Sequence, residues 1–180
     1  MGRIIGLAGK AQSGKGAVAR ILVEHHEFEE IAFADPLKKA VGEVFGFGHE
    51  ELYGDKKYVE DPFWQKSPGR ILQIVGTDLF RDHFDQDIWV KSLLRRILTH
   101  PEKSYVVSDC RFENEVTALQ KTGGLIVLVR SRTREKKKDA RDLSHPSETA
   151  LDAWTGWDAI LDNDGTLEDL QLKVETLLFA

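Results

Sequence analysis

Ile4-Ile5-Gly6-Leu7-Ala8-Gly9-Lys10-Ala11-Gln12-Ser13-Gly14-Lys15-Gly16 is a short apolar run that passes into a glycine-rich turn and then, from Ala17 to His25, into a helix-forming stretch. That order, with Gly9 and Gly14-Lys15 at the required spacing, is the layout of a phosphate-binding loop at the first βα junction of an α/β domain. Glycines let successive backbone N–H groups turn into one concavity that holds an anion. The start of the following helix adds partial positive charge, and Lys15 brings a flexible point charge suited to a transferring phosphoryl group. Residues Gly9, Ala11, Ser13, Gly14, Lys15, Gly16 and Ala17 are therefore the expected nucleotide-binding set. One departure stands out. The usual loop places a hydroxyl after the lysine to help hold Mg²⁺, and neither Gly16 nor Ala17 supplies one.

Outward from this loop, apolar runs that read as buried parallel strands recur at Arg3–Ala8, Glu30–Ala34, Ser104–Ser108, Leu125–Val129 and, more weakly, Ala159–Leu161. Amphipathic stretches of helical length separate them: Gly14–His26, Pro36–Phe45, Pro68–Phe84, Ile88–Leu98, Asn114–Thr122 and Ser147–Trp154, with Thr166–Leu178 closing the chain. Strands alternating with helices predict an α/β fold, a doubly wound, mainly parallel five-stranded sheet in three α/β/α layers. Functional groups then gather at the carboxyl ends of the strands. The 180 residues fit one domain over 1–180, in which 46–87 reads as an acceptor-binding insertion and 130–146 as an arginine-rich lid segment.

The bulk properties narrow the class. A net charge of −5 argues against general nucleic-acid binding, and the single cysteine, Cys110, suits a reducing compartment. No apolar run approaches a membrane span, so a soluble, cytoplasmic protein is expected (in a host cytoplasm if the source is viral).

Along the helix expected from Pro68, Arg70, Gln73, Thr77 and Arg81 fall within about 80° of one another at α-helical spacing. Ile71, Leu72, Val75 and Leu79 fall on the other side. One face would pack on the domain while the other offers two guanidinium groups for phosphate, an amide for a base edge and a hydroxyl. Asp35, before Pro36, reads as a helix N-cap that can also face the cleft. Asp109, at the end of Tyr105-Val106-Val107-Ser108, sits where an acid could hold Mg²⁺ through water or orient the acceptor. Arg130, Arg132 and Arg134 begin a basic stretch running to Arg141, which is either a solvated charge run or a set of lid arginines that neutralise transferring charge. His145-Pro146-Ser147-Glu148 reads first as a helix start. The aromatic loop around Tyr53, Tyr58, Phe63 and Trp64 leaves three options open: a homodimer surface, a substrate cover or a satellite core.

Taken in order, Gly9–Lys15, Phe33-Ala34-Asp35-Pro36-Leu37-Lys38, Gly69-Arg70-Ile71-Leu72-Gln73 with Gly76-Thr77, Ser108-Asp109 with Arg111-Phe112 and Asn114-Glu115, His145 with Ser147-Glu148, and Asn163 with Gly165-Thr166-Leu167 resemble the deoxynucleoside monophosphate kinases of bacteriophages, within the P-loop nucleoside monophosphate kinase-like group. The resemblance implies transfer of a phosphoryl group from ATP, with Mg²⁺, to a 2′-deoxynucleoside 5′-monophosphate for DNA synthesis. It implies catalytic roles for Lys15, Asp109, Arg132 and Arg134, and donor binding by Gly9–Lys15 with the lid, Arg130 included. It further implies acceptor binding by Asp35, Lys38, Arg70, Gln73, Thr77, Arg81, Arg111 and Glu148, and a place for Asn163 near the donor base. Two other readings share the same layout: a dephospho-coenzyme A kinase-like enzyme, and a degenerate nucleotide-binding protein without turnover.

Overall fold

The computed structural model describes residues 2–131 and 149–179, which divide into two compact units. The first comprises residues 2–32, 95–131 and 149–179, and the second is Phe33–Leu94.

The first unit holds the sheet. Strands β1 (Ile4–Ala8), β2 (Phe28–Ile31), β3 (Ser104–Cys110), β4 (Leu125–Arg130) and β5 (Ala159–Asp162) pair in the order β2-β3-β1-β4-β5, every pair parallel. All five residues of β1 are buried, which explains its unbroken apolar run: it is the central strand and is covered on both faces. Ile5 and Leu7 enter one core with Val18 and Leu22 of helix α1 (Lys15–His26) and with Leu170, Val174 and Leu178 of the last helix, α7 (Leu167–Phe179). On the opposite face Gly6 lies under Leu119 of α6 (Glu113–Lys121), close enough that a Cβ there would come within 2.9 Å of the leucine. Helices on both faces of a parallel sheet make the three layers that alternation in the sequence predicts.

Two strand details differ from expectation. β2 begins earlier than Glu30–Ala34, because Phe28 is a core residue and pairs with Ser104 at the start of β3. The chain then turns at Phe33-Ala34 instead of continuing extended. β3 also carries one extra residue between the pairs Gly6–Val107 and Ala8–Cys110, a bulge that falls on Ser108-Asp109. Such insertions re-aim side chains next to functional sites.

The second unit contains α2 (Asp35–Phe45), α3 (His49–Leu52), a 3₁₀ turn (Asp55–Tyr58), α4 (Pro68–Gln73), a π-helix (Ile74–Arg81) and the start of α5 (Ile88–Thr99). Its interior is built from Leu37, Val41, Phe47, Leu52, Ile71, Leu72, Trp89 and Val90. Gly76 lets the π-helix approach α2: a Cβ there would lie 2.5 Å from Leu37 Cδ2. The Trp89 indole N–H donates to the Gly76 carbonyl at 3.0 Å. The aromatic loop is partly packed here, with Trp64 edge-on to Phe45 at 4.9 Å and its N–H donating to the Phe45 carbonyl. Phe63, at 81% exposure, and Tyr53 remain open to solvent.

The π-helix is the largest local departure. Bonds from i to i+5 advance each residue by roughly 80° instead of about 100°, so residues after Gln73 rotate progressively away from their α-helical places. Arg81 thereby becomes buried (9% exposed), while Leu79, expected inside, is 53% exposed. Arg70 and Arg81 do not share the single polar face that α-helical spacing predicts.

Candidate active site

The loop Gly9–Lys15 leaves the carboxyl end of β1 where the strand order reverses, since α1 leads towards β2 on one side and β4 lies on the other. Ligand crevices in doubly wound sheets open at such points. Three loop residues have left-handed φ: Gly9 (+137°), Gln12 (+63°) and Gly14 (+104°). Glycine is required at two of them. A Cβ on Gly9 would sit 2.1 Å from the Val129 carbonyl, and one on Gly14 would sit 1.9 Å from Asn163 Nδ2. Gly14 is the N-cap of α1 and offers no capping side chain, and the first turn holds no acid. The helix start therefore keeps its partial positive charge directed into the loop.

Lys15 Nζ donates to the carbonyls of Gly9 (2.7 Å) and Lys10 (2.9 Å), linking the end of the loop to its beginning. Ser13 is 5% exposed, and its hydroxyl has no protein partner among the described residues. Lys10 forms an ion pair with Asp152. A cavity of about 280 Å³ lies beside this pair, bordered by Gln12, Arg130, Trp154 and Trp157.

Asp109 lies at the bulge in β3, next to Cys110, which pairs with Ala8 one residue before the loop. Cys110 is buried beside Glu115 and Asp109, and burial first, then these carboxylates, push its thiol well above the ordinary range. A thiol held in this form is a packing residue and not a nucleophile. Arg111 follows in a turn held by Glu115, whose Oε2 accepts from the backbone N–H of Arg111 (2.7 Å) and of Phe112 (3.1 Å). Glu115, 2% exposed, is a residue whose organising role sequence reading missed. Its signal was available: an acid three positions into a helix can reach back to the cap.

Arg130, at the end of β4, is held bidentate by Asp162 of β5, with Nη2 3.1 Å from Oδ2, and the pair raises the guanidinium pKa further. Asn163 follows directly. It is buried, its backbone N–H donates to the Arg130 carbonyl (2.8 Å), and its side-chain amide donates to the Ser13 carbonyl (3.0 Å). Asn163 thus supports the loop from the end of β5, two strands away from β1 in the sheet.

In the second unit Asp35 stands in the first turn of α2, with Ala34 as the cap in place of the expected Asp35. Its charge still favours that helix end. Lys38, one turn on, lies over the Tyr53 ring with Nζ 3.9 Å from the centroid. Partial desolvation of the hydroxyl, then the Asp35 charge, raise the Tyr53 pKa, so its phenol stays protonated at neutral pH. Ser67 caps α4 by accepting from the Arg70 backbone N–H, which fixes the helix that carries Arg70. Arg70 Nη1 approaches Gln73 Oε1 at 3.5 Å, Thr77 is half-buried in the π-helix, and Arg81 donates to the Gln86 carbonyl at 3.4 Å. The structure thus groups Gly9–Ala17, Asp109, Arg111, Arg130 and Asn163 in one unit, and Asp35, Lys38, Arg70, Gln73, Thr77 and Arg81 in the other. Arg132, Arg134, His145 and Glu148 lie outside the described residues, as does most of the lid segment.

The model of the deoxynucleotide monophosphate kinase family matches residues 55–174. The chain belongs to that family. A protein of Acanthamoeba polyphaga mimivirus, provisionally named a deoxynucleotide monophosphate kinase, is 32% identical over 95% of this chain and 93% of its own length. The deoxynucleotide monophosphate kinase of Enterobacteria phage T4 is 32% identical over 63% of this chain, which spans only 46% of the phage protein. Among solved structures, a sugar kinase from Janibacter sp. HTCC2649 matches with a TM-score of 0.60 over 99% of this chain and 95% of its own, at 14% identity. That likeness extends to the fold alone. Membership of the deoxynucleotide monophosphate kinase family favours that reading over the dephospho-coenzyme A kinase-like alternative. No helix among the described residues is long and apolar enough to cross a membrane.

Proposed function

We propose that this family member transfers the γ-phosphoryl group of ATP to the 5′-phosphate of a 2′-deoxynucleoside monophosphate. The observation that carries the reading is the loop Gly9–Lys15, where two glycines held left-handed by close neighbours shape a cradle at an uncapped helix start. Backbone N–H groups there hold the donor phosphates, and Lys15 neutralises the charge that develops on the transferred group. Asp35, Lys38, Arg70, Gln73, Thr77 and Arg81 bind the acceptor, with Arg70 on its phosphate. Arg111 and Glu148 complete the acceptor set. Arg130, held at the end of β4, completes the donor set, and Arg132 and Arg134 neutralise the charge that develops in transfer.

The donor set also suits Mg²⁺. Among the described residues no cluster of three or more acidic, histidine or cysteine side chains forms a metal cage. Mg²⁺ commonly needs none, because it keeps several waters and is held by one or two carboxylates with substrate phosphates. Asp109, at the bulge in β3 next to the strand that carries the loop, is the carboxylate that would hold it through water. When bound, the ion supplies charge neutralisation on the phosphates. Positioning then does most of the catalysis, since the acceptor is already an anion and needs no strong base.

The direct test measures ADP formation from ATP and Mg²⁺ with each of the four common deoxynucleoside monophosphates, and with dephospho-coenzyme A. Turnover with one or more deoxynucleotides is expected. ATP binding without turnover on any of them would refute the proposed reaction and point to a nucleotide-binding role.

A further inference from the structure

Asn163 has a place that neither its turn-forming sequence context nor proximity to a donor base accounts for. Its side chain is buried and ends beneath the loop, donating to the Ser13 carbonyl at 3.0 Å. It fills the space that a side chain at position 14 would need, since a Cβ on Gly14 would lie 1.9 Å from its Nδ2. It is anchored on both sides. Its backbone N–H is bonded to the Arg130 carbonyl, the preceding Asp162 grips the Arg130 side chain, and the following Asp164 accepts from the Ser131 hydroxyl at 3.2 Å. The amide therefore projects from the rigid end of the β4–β5 pair.

In a trans peptide the carbonyl of one residue and the N–H of the next point in opposite directions, and the unit is planar. No cis peptide occurs among the described residues. Fixing the Ser13 carbonyl toward Asn163 consequently fixes the Gly14 N–H on the side of the peptide facing away from it. We propose that Asn163 is a positioning residue for the nucleotide loop, holding the Ser13–Gly14 peptide from behind so that the Gly14 N–H is aimed at a bound phosphate. This rests on the reading of Gly9–Lys15 as the site for the donor phosphates. It explains why an amide is needed: an aspartate of equal size would turn a carboxylate oxygen toward the Ser13 carbonyl and repel it. It also couples the loop at the start of the chain to the sheet edge that flanks the lid segment.

The test titrates ATP and inorganic tripolyphosphate by calorimetry into the wild type, Asn163→Asp and Asn163→Ala, with a deoxynucleoside monophosphate as the control ligand. At pH 7.5 either variant is expected to bind ATP and tripolyphosphate roughly tenfold more weakly, the scale of one buried hydrogen bond lost and one acceptor orphaned. The monophosphate affinity should change less than twofold. For Asn163→Asp the deficit relative to wild type should shrink at pH 5, because the introduced carboxyl gains a proton and can again donate to Ser13. If Asn163→Asp does not fold, judged by circular dichroism, Asn163→Ala decides by the same ligand comparison. Unchanged anion affinity in a folded variant overturns the inference, and so does an equal loss for all three ligands. A wild type that binds neither ATP nor tripolyphosphate overturns the phosphate-loop reading itself, and the inference with it.

Discussion

The Lys15 ammonium lies 2.7 Å from the Gly9 carbonyl, so the last residue of the loop is tied to the first. The same group is the mobile cation that the proposed transfer requires. Lys15→Ala is expected to lower turnover by about a hundredfold or more, the scale seen when one transition-state donor is removed. The far-ultraviolet dichroism should stay unchanged. Wild-type turnover in the folded variant would remove the loop from the mechanism.

Gly14→Ala places a methyl group in the left-handed region and against Asn163. A strained backbone of this kind costs about 1–3 kcal/mol, so the melting temperature should fall by several degrees. Asn163→Ala made in the same chain should return part of the loss by clearing the contact. Strict additivity in the double-mutant cycle would show that the two residues do not interact in solution.

Ala17 is only half-buried, at the margin of the core. Ala17→Thr should therefore be accommodated and add the hydroxyl that the loop lacks. The expected result is a lower Mg²⁺ concentration for half-maximal rate, by a few-fold, with little change in saturating turnover. An unchanged Mg²⁺ titration would mean that the metal is held independently of this position.

Arg70→Ala should raise the acceptor KM about tenfold or more while leaving the ATP KM within about twofold, because a bidentate phosphate contact is lost from one substrate only. Its side chain is exposed and its helix is capped by Ser67, so stability should hardly change. Equal effects on both substrates would place Arg70 elsewhere in the site.

Glu29 on β2 accepts from Lys103 at 2.9 Å and from Arg96 at 3.1 Å. The Lys103 bond, with help from Arg96, holds its carboxyl below the usual glutamate range despite some burial. A lowered folded pKa gives stability that is present above the unfolded value, near 4.3, and is lost as pH falls through the folded value. Glu29→Gln should thus melt slightly below wild type at pH 7, and the gap should narrow as pH falls below the unfolded value. Since these groups are more than a third exposed, high salt should also narrow the gap.

Much of this was legible in the sequence for identifiable reasons. Buried parallel strands are apolar throughout, so β1, β3 and β4 stand out, and the glycine spacing of the loop has one familiar structural meaning. The π-helix was not legible. Nothing in Ile74–Arg81 distinguishes a five-residue hydrogen-bond step from a four-residue one, because the choice depends on Gly76 meeting Leu37 and Trp89 across the unit. The burial of Arg81 and exposure of Leu79 follow from that step. Asn163 was equally opaque, since Asn-Asp-Gly reads as a turn and only the β4–β5 pairing brings it under a loop 150 positions away. The bulge at Asp109 depends on register between β1 and β3, which spacing along one strand does not encode.

The strand order has a consequence for how the chain acquires its structure. β1 is made first, yet both its neighbours, β3 and β4, begin only at residues 104 and 125, and Asn163 arrives later still. A nascent chain emerging from a ribosome therefore carries a loop whose strand has no partner until β3 has been made. Contacts of such long sequence separation form slowly. Phe33–Leu94, a compact unit by itself, is made entirely before β3, while the loop gains its supporting strands and Asn163 only as the sheet is completed.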